Sequence, residues 1–182
     1  IDQARQEVKG DVSFFSADIH DAAALRSLFE RVAKIDHLVG NATGADRTVA
    51  PFMEQTHEQF SEAFGKFWGY TTLVRNGVPF MSASGSITLI SGVVARKCPP
   101  GMGASSGVGN AVEGFCRAVA PEIAPIRLNT VAPGVIDTSM YEWMGDQKDE
   151  TLMQRTATQP IKRPGQPEEV AGLIGAIGHR AV

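Results

Sequence analysis

The sequence predicts an α/β protein built on a doubly wound parallel sheet, and three observations carry that reading. Short runs rich in β-branched residues alternate with longer segments of 3.6-residue apolar period, the pattern of βαβ units. No linker, low-complexity tract or internal repeat interrupts the alternation, so residues 1–182 read as a single domain. At 43% hydrophobic and 20% charged, the chain has apolar material for one core.

The expected strands are 12–16, 37–41, 86–91 and 126–131. Between the first two, 21–33 reads as an amphipathic crossover helix with Asp21 as its N-cap and Leu25, Leu28, Phe29 and Val32 on one stripe. A second helix over 55–78 places Phe60, Phe64, Phe67, Trp68, Thr71 and Val74 together. A third, over 106–123, does the same with Val108, Ala111, Val112, Phe115 and Val119, and a last helix spans 167–177. The polar, proline-bearing stretch 139–166 is expected to form a lid.

Charge and composition exclude several classes. A net charge of −3 lacks the polycationic surface of a nucleic-acid binder. No apolar run approaches the length of a membrane span, and the first residues are not a signal peptide. Two cysteines, Cys98 and Cys116, without disulfide or zinc spacing fit a reducing, cytoplasmic setting. The four histidines have no metal spacing, so no metal site is expected.

Several motifs occur in a telling order. Ser16-Ala17-Asp18-Ile19-His20-Asp21 ends the first expected strand, and Leu38-Val39-Gly40-Asn41-Ala42-Thr43-Gly44 ends the second. Gly85-Ser86-Ile87-Thr88-Leu89-Ile90-Ser91-Gly92 follows, then Ala124-Pro125-Ile126-Arg127-Leu128-Asn129-Thr130-Val131-Ala132-Pro133-Gly134 with Thr138, and Arg163-Pro164-Gly165-Gln166-Pro167 before the last helix. This series resembles the short-chain dehydrogenase/reductase family across nearly the whole chain. The resemblance implies a Rossmann-type sheet and a dinucleotide, NAD or NADP. Asp18 and Ile19 would lie on its adenine side, although an Asp after a strand is also an ordinary turn or cap residue. Asn41, Ala42 and Thr43 would shape its floor, Asn41 tying neighbouring strands through its amide; Ser91, Pro133, Gly134, Ile136 and Thr138 would lie toward the nicotinamide. Gly40 and Thr43 depart from the family's Asn and Gly. The family's leading glycine-rich turn and final strand have no counterpart here, so the sheet is expected to be truncated at both ends.

The family's chemistry uses a Tyr proton donor, a Lys four residues later, a Ser and an Asn. Alignment through Ala111-Val112-Glu113-Gly114 puts Ser105 at the Tyr position and Gly109 at the Lys position; Gly92 takes the Ser position with Ser91 one residue earlier, and Lys66 takes the Asn position. The tetrad is replaced within a retained scaffold, as in a divergent branch of the family with Lys-Phe-Trp-Gly in this helix. Lys66 is the main catalytic candidate, an acid or oxyanion partner on the helix that normally faces the reacting centre; the alternative is a surface ammonium paired with Glu62. Ser91 is a candidate hydroxyl donor to a carbonyl, or a strand-end serine capping backbone. Ser105 is a third candidate, with helix capping as its alternative.

The resemblance implies an oxidoreductase acting on a carbonyl or alcohol small molecule, against an inactive dinucleotide-binding or interaction protein on the same scaffold. It also implies a homodimer or homotetramer through helices 55–78 and 106–123, with Gly65, Gly69, Gly107 and Gly114 allowing close approach.

Overall fold

The computed structural model describes residues 8, 10–42 and 49–179. Helix α1, Ala22–Val32, starts where its cap predicts: the Asp21 carboxylate accepts from the main-chain N–H of Ala23 and Ala24, two donors a helix start otherwise leaves unpaired. Leu25 and Phe29 are its buried face. Strand β1, Ile35–Gly40, leads through residues 41–56 into helix α2, His57–Gly77, where the Thr56 hydroxyl and the Gln59 side chain form a reciprocal capping box. Strand β2 is Met81–Ile90, followed by one short helical turn, α3, Val94–Lys97. Helix α4, Gly103–Val119, returns the chain to strand β3, Arg127–Val131. Beyond it lie a 3-10 segment at Ser139–Gln147, helix α5 at Lys148–Thr156 and helix α6 at Pro167–Gly178.

The three strands are parallel in the order β1-β2-β3, with Gly40 beside Leu89 and Ile90 beside Val131. Two apolar connections cross one face: Tyr70 and Val74 of α2 and Val112 and Cys116 of α4 close over Ile87, Leu89 and Leu128. Residues of the opposite parity on β2 look the other way, where α6 lies. Ser86 donates to the Gly178 carbonyl, and the Arg127 guanidinium donates to the carbonyls of Ile177 and Gly178. A cation therefore closes the negative end of α6. Among the described residues no helix is long and apolar enough to cross a membrane.

Several expectations need correction. Residues 12–16 join no sheet, because a strand exists only where a neighbour completes its ladder and no described strand runs beside them. The expected face of α2 holds only in part. Phe67 joins the core, but Trp68 is 58% exposed and the buried residues are Gly69, Tyr70, Leu73, Val74, Asn76 and Gly77. A helix of 21 residues meets α4, the sheet and α1 in turn, and one stripe cannot face all three. Helix α4 begins three residues earlier than its periodicity suggests, so Ser105 and Ser106 sit inside its first turns rather than capping it. Apart from these corrections, the first part of the stretch 139–166 is helical over residues 139–156, broken at Gly145 where φ is +54°.

Gly40 shows what the departure from asparagine does. A Cβ there would stand 2.7 Å from Leu89 Cδ2, 3.0 Å from Leu73 Cδ2 and 3.3 Å from Tyr70 Cε1. The missing side chain is the space into which the Tyr70 ring packs. Gly40→Ala is expected to destabilise the fold by about 1–3 kcal/mol through overpacking; equilibrium denaturant unfolding measures this, and an unchanged midpoint would contradict the packing described.

Candidate active site at the strand ends

Parallel pairing brings the C-terminal ends of all three strands to one edge, the place where open α/β sheets bind ligands. At this edge the Ser91 N–H donates to the Val131 carbonyl (2.8 Å) and the Val93 N–H to the Pro133 carbonyl (2.9 Å). These bonds join the turn after β2 to the Pro133-Gly134 turn after β3. Asn41 and Ala42 follow β1 on the same edge and are exposed. Among the described residues β1 is an outer strand and the Asn41 amide makes no hydrogen bond. Thr43 lies outside the described residues.

Helix α2 reaches this edge with two side chains one turn apart. The Lys66 ammonium lies 3.5 Å from the Ser91 carbonyl oxygen and 5.5 Å from the centre of the Tyr70 ring. The Tyr70 hydroxyl donates to the Ile90 carbonyl at 3.3 Å. Tyr70 has no solvent exposure, and burial drives its proton affinity far above that of a free phenol. It is a core residue, unsuited to proton donation. Lys66 is half-buried and directed at the strand end.

Ser91 is turned the other way. Its hydroxyl lies 3.2 Å from the Gly109 carbonyl and 3.3 Å from Glu113 Oε1, both on α4. Glu113 is 5% exposed and also receives Arg96 Nη2 at 3.1 Å, with Arg117 Nη1 at 3.8 Å. A carboxylate so buried requires such partners. Glu113 and Arg96 are functional-site neighbours that sequence reasoning missed; the available signal was a carboxylate on the apolar stripe of a core helix with Arg117 one turn on. The space beside Gly109 is occupied: a Cβ there would meet the Ala95 methyl at 2.7 Å and Ser91 Oγ at 3.2 Å. Helix α3 has settled where a long side chain from α4 would otherwise run. Ser105 is half-buried in the first turn of α4, and its hydroxyl makes no hydrogen bond among the described residues. Ser106 donates to the Val94 carbonyl at 2.8 Å, fastening α4 to α3.

On the far side of the Pro133-Gly134 turn, a cavity of about 420 Å³ opens between β3 and α6, with Arg96, Pro133 and Glu169 among its lining. Arg163 donates to both Glu169 oxygens and the Gln166 N–H to one of them, which holds the Glu169 carboxyl near a pKa of about 2 and fixes the start of α6. Ile136 pairs with Gly165, and Lys148 binds Asp137 at 2.7 Å, so the segment carrying Ile136 and Thr138 is anchored to the 139–166 excursion. Ile19 and His20 lie against Gly69 and Gly65 in the middle of α2, next in sequence to Tyr70 and Lys66; the Asp18 carboxylate accepts from the main-chain and ring nitrogens of His20.

The chain as a whole is similar to known proteins. A family model described as enoyl-(acyl carrier protein) reductase matches residues 1–178. The chain is 31% identical over 154 residues to human dehydrogenase/reductase SDR family member 4, covering 79% of this chain and 52% of that protein. It is 32% identical over 174 residues to the 3-oxoacyl-[acyl-carrier-protein] reductase FabG of Thermotoga maritima, covering 91% of this chain and 69% of that one. The chain thus spans about half the length of the human relative and more of the bacterial one. A crystal structure of a small-chain dehydrogenase in complex with NADPH superimposes with a TM-score of 0.84 at 26% identity, covering 98% of this chain and 85% of that one. Together with the strand-end geometry, these matches place the chain in the short-chain dehydrogenase/reductase family.

Proposed function

We propose that this chain is the core of an NAD(P)(H)-dependent oxidoreductase that interconverts a carbonyl and an alcohol on a small molecule, with Lys66 rather than a tyrosine polarising the reacting oxygen. The observation that carries the reading is the half-buried Lys66 ammonium directed at the end of β2, 3.5 Å from the Ser91 carbonyl, on the edge shared with the Pro133-Gly134 turn.

The edge fits a dinucleotide on its nicotinamide side. Apart from its chain neighbours, no atom of the described residues lies within 4 Å of where a Gly134 side chain would begin, so a flat ring can approach the main chain there. Ser91, Pro133, Gly134, Ile136 and Thr138 would hold that end, Asn41 and Ala42 the floor with Thr43 beyond them, and Asp18 and Ile19 the adenine side. When bound, the nicotinamide supplies the hydride chemistry. The chain's part is to orient the carbonyl and stabilise charge. A fixed ammonium near a developing oxyanion strengthens its interaction as charge grows, which lowers the barrier more than it tightens binding. Ser91 supports the strand end in this reading, since its hydroxyl is directed to α4. Ser105 is the remaining hydroxyl candidate for a proton donor.

A second reading, a dinucleotide-binding or interaction protein without turnover, is favoured by one observation: Ala95 fills the space beside Gly109 that the family's lysine would use. We place the protein in the cytoplasm as a dimer or tetramer. Phe64, Phe67 and Phe115 form an aromatic cluster between α2 and α4 with Trp68 exposed at its margin, which suits contact with a second copy. Gly65 and Gly69, expected to serve that contact, face Ile19 and His20 of the same chain instead.

In a panel of carbonyl substrates with full-length protein and each reduced nicotinamide, Lys66→Met should lower turnover about 10²–10³-fold with little change in cofactor affinity. Turnover that survives the substitution would remove Lys66 from the mechanism, and no turnover in the wild type would select the second reading. Light scattering at micromolar concentration should give a dimer or tetramer, and a monodisperse monomer would contradict the assembly.

A further inference from the structure

We infer that His20, as an imidazolium, is a positioning residue that docks the Asp18–Ile19 turn onto α2 beside Lys66; its bearing on cofactor affinity rests on the proposal that this turn carries the adenine side of a dinucleotide. Both ring nitrogens face atoms that only accept. Nδ1 is 2.9 Å from the Asp18 carboxylate and Nε2 is 2.8 Å from the Gly65 carbonyl oxygen. Neutral imidazole has one N–H and satisfies one of these contacts, leaving a lone pair against a lone pair at the other; imidazolium donates to both. The same Asp18 oxygen accepts the main-chain N–H of His20 at 2.9 Å, which keeps the carboxyl ionised to receive the ring.

The surface under this ring is shaped for the turn. Gly65 and Gly69 lie one helical turn apart, and a Cβ on Gly69 would stand 2.3 Å from Ile19 Cδ1 and 3.3 Å from His20 Nε2. Ile19 therefore seats on bare backbone while His20 bonds to the carbonyl one turn earlier. Gly65 directly precedes Lys66, so a single contact sets the adenine-side turn relative to the proposed cation.

The groups around the ring allow the consequence to be worked out. From its own turn, Asp18 contributes the negative charge; the α1 start contributes Asp21, whose carboxylate is taken up by the N–H groups of Ala23 and Ala24. Helix α2 presents the uncharged Gly65 carbonyl, with Glu62 and Lys66 its nearest ionisable residues along the sequence. The Gly65 carbonyl first, then Asp18, raise the proton affinity of His20 above the ordinary histidine value. Docking is therefore complete below about pH 6.5 and is lost as the pH climbs through the higher folded value. The ring is 45% exposed, so solvent screening keeps the effect moderate.

Two measurements on full-length protein test this. A ¹⁵N titration of the imidazole without cofactor should show both nitrogens of His20 protonated near neutrality, with a midpoint above about 6.5 that falls in Asp18→Asn. Titration with NADPH and NADH at a series of pH values should show affinity weakening about two- to five-fold as the pH passes that midpoint, whereas His20→Gln, which keeps one N–H for the Gly65 carbonyl and cannot titrate, should give a flat profile. A His20 that is a neutral single tautomer below about pH 6.5, or a His20→Gln protein with the wild-type pH profile, would overturn the inference. If neither dinucleotide binds the wild type while the ring titrates as described, the cofactor reading fails and the docking stands.

Discussion

The carbonyl end of β2 is held from both neighbouring helices and from β3, and the geometry of the site follows from that grip. Tyr70 takes the Ile90 carbonyl, Lys66 reaches the Ser91 carbonyl, the Ser91 N–H goes to Val131, and the Ser91 hydroxyl faces Glu113. Leu89 and Val131 of the sheet and Val112 of α4, which adjoin these groups along the chain, are buried, and water competes poorly in such surroundings. The strand end is thus a rigid platform, and a cation projecting onto it from α2 has a defined direction. Such rigidity gives a charge its leverage on a transition state, because no reorganisation is needed as the oxyanion develops.

Two glycines near the strand ends are filled against by core atoms. Glycine at 109 admits Ala95, which lets α3 lie against α4, and Arg96 of the same short helix then reaches the buried carboxylate of Glu113. Glycine at 40 admits the ring of Tyr70, whose hydroxyl would otherwise lack its place at the Ile90 carbonyl. At both glycines the space a side chain would take is held by core atoms, Ala95 beside Gly109 and Tyr70, Leu73 and Leu89 beside Gly40. The result is a packed edge onto which Lys66 projects from α2.

Much of the scaffold was legible in the sequence because periodicity and capping are local signals. Asp21 marked the start of α1, the 3.6-residue stripes marked α2 and α4, and the run ending in Pro133-Gly134 marked β3. The direction of Lys66 toward the end of β2 was also legible, from its place in the helix relative to the motifs. What the sequence concealed depends on tertiary neighbours. Residues 12–16 have strand composition but pairing requires a partner, and the burial of Tyr70 depends on the space left at Gly40. Ser91 was legible as a strand-end serine, but the direction of its hydroxyl depends on Glu113, which is 22 positions away and reaches it only through the packing of α4. Gly65 and Gly69 looked like a subunit contact because small residues permit any close approach; the Ile19 turn was the partner that the linear pattern could not name.

The account stands on the strand-end edge holding a nicotinamide dinucleotide beside Lys66. The direct measurement is a fluorescence titration of the full-length protein with NADH and NADPH, following nicotinamide emission and protein quenching together. Saturable binding of one or both, retained in Lys66→Met and weakened by a bulky residue at the open Gly134, is the predicted result. Absence of saturable binding by either dinucleotide would contradict it.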